Sequence, residues 1–282
     1  MLRTERCWTT LPQEGFPLKN KFKGTYYKHQ KGSHTLCLIC GRYGADRFIQ
    51  VITNHTSYCL SFPQGNQFTS QGIRLDIHTE TLTLTGQLSY HQLTPIRYDI
   101  MGPFRYFPME CSHGIVSMRH QITGAVVLNG EEIDFTGGIG YIETDRGVSF
   151  PSSYLWVQAN DFSRPCSIMA SVARIPFWGA HFQGCICVVY DQGREYRLAT
   201  YLGGKALCCT DRRLVLRQGR LRLEIEIGSR EGHLLQAPSR GGMNRTITEA
   251  AAIPARFRFF RKDQLLFDLS SRQTSFEYEM EQ

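Results

Sequence analysis

Two carboxylic acids, Glu143 and Asp145, stand two residues apart in the segment GYIETDRG at 140–147. On an extended chain that spacing turns both side chains to one face. Two carboxyls held that close push one of them toward its neutral form, which a proton donor needs. A solvated turn ahead of Gly147, with Asp145 paired to Arg146 or another base, is the competing reading. A second cluster, Glu110, His113 and His120, offers imidazoles that can shuttle a proton or orient a hydroxyl. Purely structural roles fit the same residues. Two His and a Glu also have the makings of a metal set, but the spacing is not that of a helix-borne HExxH pair, so no metal is expected.

After the break at Phe150-Pro151 the chain alternates. Tyr154, Trp156, Gln158 and Asn160 point one way, and Leu155, Val157, Ala159 and Asp161 the other. One face therefore carries aromatic rings followed by amides, which suits the wall of an apolar pocket with a polar end and equally suits ordinary core. Gly137-Gly138-x-Gly140 is rich in glycine, but a strand follows it and not a helix, so it is no phosphate cradle. No nucleophile elbow, P-loop or dinucleotide fingerprint is present.

The elements that must position these residues read as strands nearly throughout. Short runs rich in β-branched and aromatic residues, such as 34–39, 47–53, 73–77, 116–122, 154–162, 184–190, 221–227 and 264–269, are bounded by Gly, Pro, Asn or Asp. Hairpin turns are expected at Asn129-Gly130, Asp191-Gln192-Gly193 and Gln218-Gly219. One short helix is expected near 246–252, where an Ala run follows Glu249. The pattern predicts an all-β protein of barrels or sandwiches. The break at 147–151 divides it into domains at 20–150 and 151–282, between which no sequence repeat is evident.

The chain has 282 residues, 41% of them hydrophobic, enough for packed cores. A formal charge of +7 is moderate, and the arginines at 212–222 run into Glu224 and Glu226 without any nucleic-acid motif. A solvated, salt-bridged strand face is expected there, with no nucleic-acid partner. No stretch approaches the roughly 20 apolar residues of a membrane span. The N-terminus lacks an apolar leader, so a cytosolic, reducing location is expected. The ten cysteines are then free thiols, with Cys37, Cys59, Cys185 and Cys187 acting as small hydrophobes in strand-like runs. Cys37-x-x-Cys40 has no second such pair to complete a metal site.

Residues 140–162 resemble the signature of the tocopherol cyclase family. There a GY-x-E-x-x-G-x-x-FP stretch leads into an aromatic strand ending Q-x-N-x-F. Gly140, Tyr141, Glu143, Gly147, Phe150, Pro151, Trp156, Gln158, Asn160 and Phe162 match. Thr144 and Arg146 stand where bacterial members commonly have Lys and Trp. Further blocks are similar: FKGTYYKHQ at 22–30, with Gly24, Tyr27 and Lys28; the GPF and M-E-C-x-H-G stretch within 100–124; and 175–186 and 195–205. The resemblance implies two consecutive lipocalin-like β-barrels and a cyclase without cofactor. Such an enzyme protonates a prenyl alkene and lets a quinol oxygen close a chroman ring. It implies Glu143, Asp145, Glu110 and His113 as acid–base residues. Tyr141, Tyr154, Trp156, Gln158, Asn160, His120, Tyr27 and Lys28 would line the substrate site. The partner is a hydrophobic small molecule, collected through transient contact with a membrane. A non-catalytic carrier of such a ligand is the alternative. Arg146 beside the two acids would favour their charged forms and oppose proton donation.

Overall fold

The computed structural model describes residues 18–177 and 180–280. Two ten-stranded antiparallel sheets account for most of them. The first comprises β1 (Leu18–Lys31), β2 (His34–Gly44), β3 (Asp46–Thr53), β4 (Ser57–Ser61), β5 (Gln67–Thr69), β6 (Gly72–His78), β7 (Thr83–His91), β8 (Cys111–Leu128), β9 (Glu131–Asp134) and β10 (Ile139–Gly147). The second comprises β11 (Tyr154–Ala159), β12 (Cys166–Phe177), β13 (Ala180–Asp191), β14 (Arg194–Ala199), β15 (Lys205–Cys209), β16 (Arg213–Gln218), β17 (Leu221–Ile227), β18 (His233–Ser239), β19 (Gly242–Arg261) and β20 (Gln264–Glu279). In each sheet the first strand lies between the second and the last, giving β4-β3-β2-β1-β10-β8 and β14-β13-β12-β11-β20-β19. The halves thus repeat in topology although no repeat shows in their residues.

Each sheet curls around its own core. Leu38, Ile49, Ile77, Leu84 and Leu88 fill the first barrel, and Leu155, Val157, Ile168, Leu223 and Phe257 fill the second. A third cluster joins the barrels, with Tyr26, Met118 and Tyr141 from the first against Trp156, Met169 and Leu235 from the second. Burying each such side chain contributes about 1.5–3 kcal/mol. β1 and β11 sit at this seam and are covered on both faces. Tyr27 of β1 enters the first core while Tyr26 faces the seam. Leu155 of β11 enters the second core while Trp156 faces the seam. The alternation expected from Tyr154 onward is present.

Two expectations need correction. Residues 246–252 form no helix but belong to β19, which pairs there with both β18 and β20. Strand alternation sends Ala250 into the second core and Ala251 into the seam, and small side chains suit the close approach at both. Cys59 is exposed on β4, an edge strand, where its thiol donates to Gln50 Oε1 at 2.7 Å. Cys37 and Cys40 are odd-spaced on β2, so one faces the seam and the other the first core, and they cannot hold one ion together. The arginine face is laced with ion pairs, with Glu224 near Arg213, Arg222 and Arg258. Among the described residues no helix is long and apolar enough to cross a membrane.

Candidate functional site

β8 and β10 run side by side with Asp145 directly opposite His113. Alternation along β10 carries Tyr141, Glu143 and Asp145 to the seam, and leaves Arg146 exposed on the other face with Thr144. The guanidinium therefore lies away from the acids, and both departures from the family pattern fall outside the cluster. His113 sits between the two carboxylates. Its Nδ1 is 2.8 Å from Asp145 Oδ1, and its Nε2 is 3.0 Å from Glu143 Oε2. The second contact brings charges together but lies outside hydrogen-bond alignment. Tyr141 OH donates to the same Glu143 oxygen at 2.6 Å, and Trp156 Nε1 donates to it at 3.3 Å. Burial opposes a charge on His113, but the pull of Glu143 and Asp145 outweighs it and holds the ring well above the ordinary range, as imidazolium.

The donor atoms of His113, Glu143 and Asp145 lie within 4.8 Å of one another, close enough to be compared with a metal set. Each imidazole nitrogen, however, addresses a different carboxylate.

The facing wall comes from the second barrel. Trp156 on β11 is directly opposite Glu277 on β20, which is directly opposite Glu249 on β19. Tyr154 OH donates to Glu277 Oε2 at 2.5 Å, and Tyr26 OH donates to Glu249 Oε1 at 2.7 Å. Desolvation and the nearby Glu249 push Glu277 well above the carboxylate range. Glu249 is raised to about 8, chiefly by burial. Glu277 is half-buried and lines the cavity between the walls. One wall thus carries an imidazolium between carboxylates, and the other carries carboxyls held neutral.

Between the walls lies a cavity of about 130 Å³. Glu110, His113, Glu143, Asp145, Tyr154, Trp156 and Glu277 all line it, with apolar contributions from Met101, Phe104, Phe150 and Ile186. Tyr141 stands behind Glu143. Glu110 also pairs with Arg240 at 2.7 Å.

The other residues expected at the site lie elsewhere. Gln158 and Asn160 continue the face of Tyr154 and Trp156 but are sealed beyond the cavity. Gln158 Oε1 accepts from Lys28 Nζ at 3.1 Å, and Asn160 Nδ2 donates to Gly140 O at 3.0 Å. Lys28 Nζ also donates to Gln273 O at 2.6 Å, and burial lowers its affinity for a proton. Tyr27 packs in the first core. His120 lies against the Tyr90 ring, centroids 4.5 Å apart, and burial pushes it down to about 3.

Glu277 and Glu249 were not among the residues expected at the site. The signal for Glu277 was the alternation in FEYE at 276–279, which sets two acids on the face opposite Phe276 and Tyr278. Of residues 92–110, which join β7 to β8, only Glu110 was expected at the site; Met101, Phe104 and Met109 reach the cavity beside it.

No family model matches the sequence. No curated protein matches it either. Among solved structures the chain is similar to kievitone hydratase from Nectria haematococca, at 10% identity, with 92% of this chain and 89% of that one covered and a TM-score of 0.55. It is similar also to CghA with Sch210972, at 12% identity, covering 92% and 88%, with a TM-score of 0.59. The chain therefore has the all-β fold of two consecutive lipocalin-like barrels that these proteins share.

Proposed function

We propose that this protein catalyses an acid-initiated reaction of a hydrophobic, oxygen-bearing substrate in the cavity between the barrels, and that the reaction is cyclisation of a prenylated quinol. The observation that carries the reading is the pairing of a neutral carboxyl, Glu277, with the Glu143–His113–Asp145 cluster across one aromatic cavity. Titratable groups driven apart in this way mark the acid and base sides of a site.

Glu277 gives its proton to a trisubstituted alkene: its O–H bond breaks, a C–H bond forms, and a tertiary cation results. The faces of Trp156 and Tyr154 attract that cation. The two carboxylates around one imidazolium present an excess of negative charge to it. A quinol oxygen then forms the C–O bond, and its proton leaves to Asp145, which lines the cavity. One proton enters and one leaves, so the net change is an isomerisation and no redox step occurs. Water capturing the same cation would give hydration, the reaction class named for one of the structural neighbours.

The test is turnover of a prenylated hydroquinone in D₂O, followed by mass spectrometry. A chroman carrying one non-exchangeable deuterium is expected from the wild type, and none from Glu277→Gln or His113→Gln. Recovery of the quinol tightly bound but unchanged by folded wild-type protein would overturn catalysis in favour of a carrier.

A further inference from the structure

Glu277 lines the cavity, but Glu249 behind it does not. Glu249 is fully buried. One of its oxygens, Oε1, is satisfied by Tyr26 OH. The other, Oε2, is sealed from solvent and meets no protein donor. The residue directly across the strand pair is Glu277, within hydrogen-bonding reach. Two ionised carboxylates side by side in a medium of low dielectric repel strongly. A sealed carboxyl oxygen without a donor is best satisfied by carrying the proton itself and giving it to the carboxyl opposite.

We propose that Glu249 is a positioning residue that shares a proton with Glu277 across β19 and β20, so that the pair, and not Glu277 alone, is the acid of the site. The proposal rests on the reading of the cavity as an acid site. When Glu277 protonates the substrate, the Glu249 O–H remains hydrogen-bonded to the new anion. It can then pass its proton across: the O–H bond on Glu249 breaks as one forms on Glu277, and the charge retreats to Glu249, beside Tyr26 OH. Tyr26 and Lys28 on β1 favour this retreat, while Glu143 and Asp145 on β10 oppose negative charge on the pair; Cys37 lies nearby on β2, Tyr154 on β11 donates to Glu277, and His233 is opposite Glu249 on β18. Lys28 Nζ is committed to Gln158 and to the Gln273 carbonyl, so it assists Glu249 only at a distance.

Infrared difference spectroscopy of the carboxylic C=O band in the whole protein, without substrate, tests the pairing as pH is raised. The wild type should lose the band in two coupled steps. In Glu249→Gln the remaining Glu277 should lose its proton in a single step at lower pH, because the neighbouring carboxyl is gone. In the reciprocal Glu277→Gln protein the Glu249 step should move down likewise. Unchanged titration of the surviving carboxyl in either variant would overturn proton sharing. With a prenylated hydroquinone, Glu249→Gln should lower kcat roughly tenfold with KM little changed and pull the alkaline limb of the pH profile downward. An unshifted profile in Glu249→Gln alongside an inactive Glu277→Gln would remove the pair and leave the acid reading standing. Coupled infrared steps without turnover of any prenyl quinol would do the reverse.

Discussion

The indole of Trp156, on the second barrel, donates to Glu143, on the first, at 3.3 Å. This contact ties an acid to the aromatic wall opposite it, so the cavity's geometry depends on how the barrels meet. Trp156→Phe keeps an aromatic face and removes the N–H. Loss of a hydrogen bond to a charged group should cost about 1.5–3 kcal/mol, read from urea denaturation. Turnover should fall further than substrate binding, since Glu143 loses a fixed position. Unchanged stability and turnover would mean that the contact is incidental.

The pH dependence of stability has a definite sign. The folded protein keeps a proton on His113 where the unfolded chain, at the ordinary value of 6.5, has lost it. It keeps protons on Glu249 and Glu277 where the unfolded chain, at 4.5, has lost them. In each case the native state binds more protons, so stability falls as pH rises. The Glu249 contribution is complete below 4.5 and lost as pH passes about 8. The His113 contribution is complete below 6.5 and lost at higher pH, through its raised folded value. Denaturation midpoints should therefore decline from mildly acidic to alkaline pH. Glu249→Gln should flatten the lower part of the decline and His113→Gln the upper. A midpoint that climbs across this interval would contradict both assignments.

The charged half of the site was legible because its signal is local. The shared face of Glu143 and Asp145 follows from i,i+2 periodicity, whereas the placing of His113 opposite Asp145 comes only from the pairing of β8 with β10. The neutral half was not, because β20 was read as ending at Leu269. Ser270, Ser271, Gln273, Thr274 and Ser275 look like loop, yet they continue the strand, and all but Ser270 are buried. Polar residues can lie there because they pair across the barrels: Gln273 Oε1 accepts from Thr35 Oγ1 at 2.7 Å, and Ser275 Oγ lies 3.1 Å from Tyr26 OH. Gln158 and Asn160 are consumed by the same kind of pairing, which a face read in isolation cannot reveal.

Arg197 holds residues 92–110 over the cavity. Its guanidinium donates to the carbonyls of Tyr98 and Asp99 and lies 3.6 Å from the Tyr98 ring centroid. Glu195 pairs with it at 3.0 Å and also accepts from Arg97 N. Arg197→Met should leave buried Glu195 without its cation, at a cost of about 3–5 kcal/mol, and Glu195→Met in the same chain should recover part of it. The segment should then open, and chymotrypsin should cut faster after Tyr106, which is 81% exposed. KM for a hydrophobic substrate should rise more than kcat falls. An unaltered cleavage rate would show that the segment is held by other contacts.

Gly147 closes the strand that carries both acids. A Cβ there would collide with the backbone carbonyl of Glu110, which already accepts from Val148 N at 2.8 Å. That carbonyl is backbone and cannot swing aside, so Gly147→Ala must push β10 off the start of β8. The cost should be about 1–3 kcal/mol, with a loss of turnover because His113 and Asp145 sit two residues from the collision. Gly24 on β1 provides the control. A Cβ there would meet only Ile39 Cγ2, at 3.8 Å, an ordinary contact. Gly24→Ala should stay within about 0.5 kcal/mol of the wild type. Equal denaturation midpoints for the two variants would mean that β10 lifts from Glu110 without cost, and that the registry of His113 with Asp145 does not depend on this close approach.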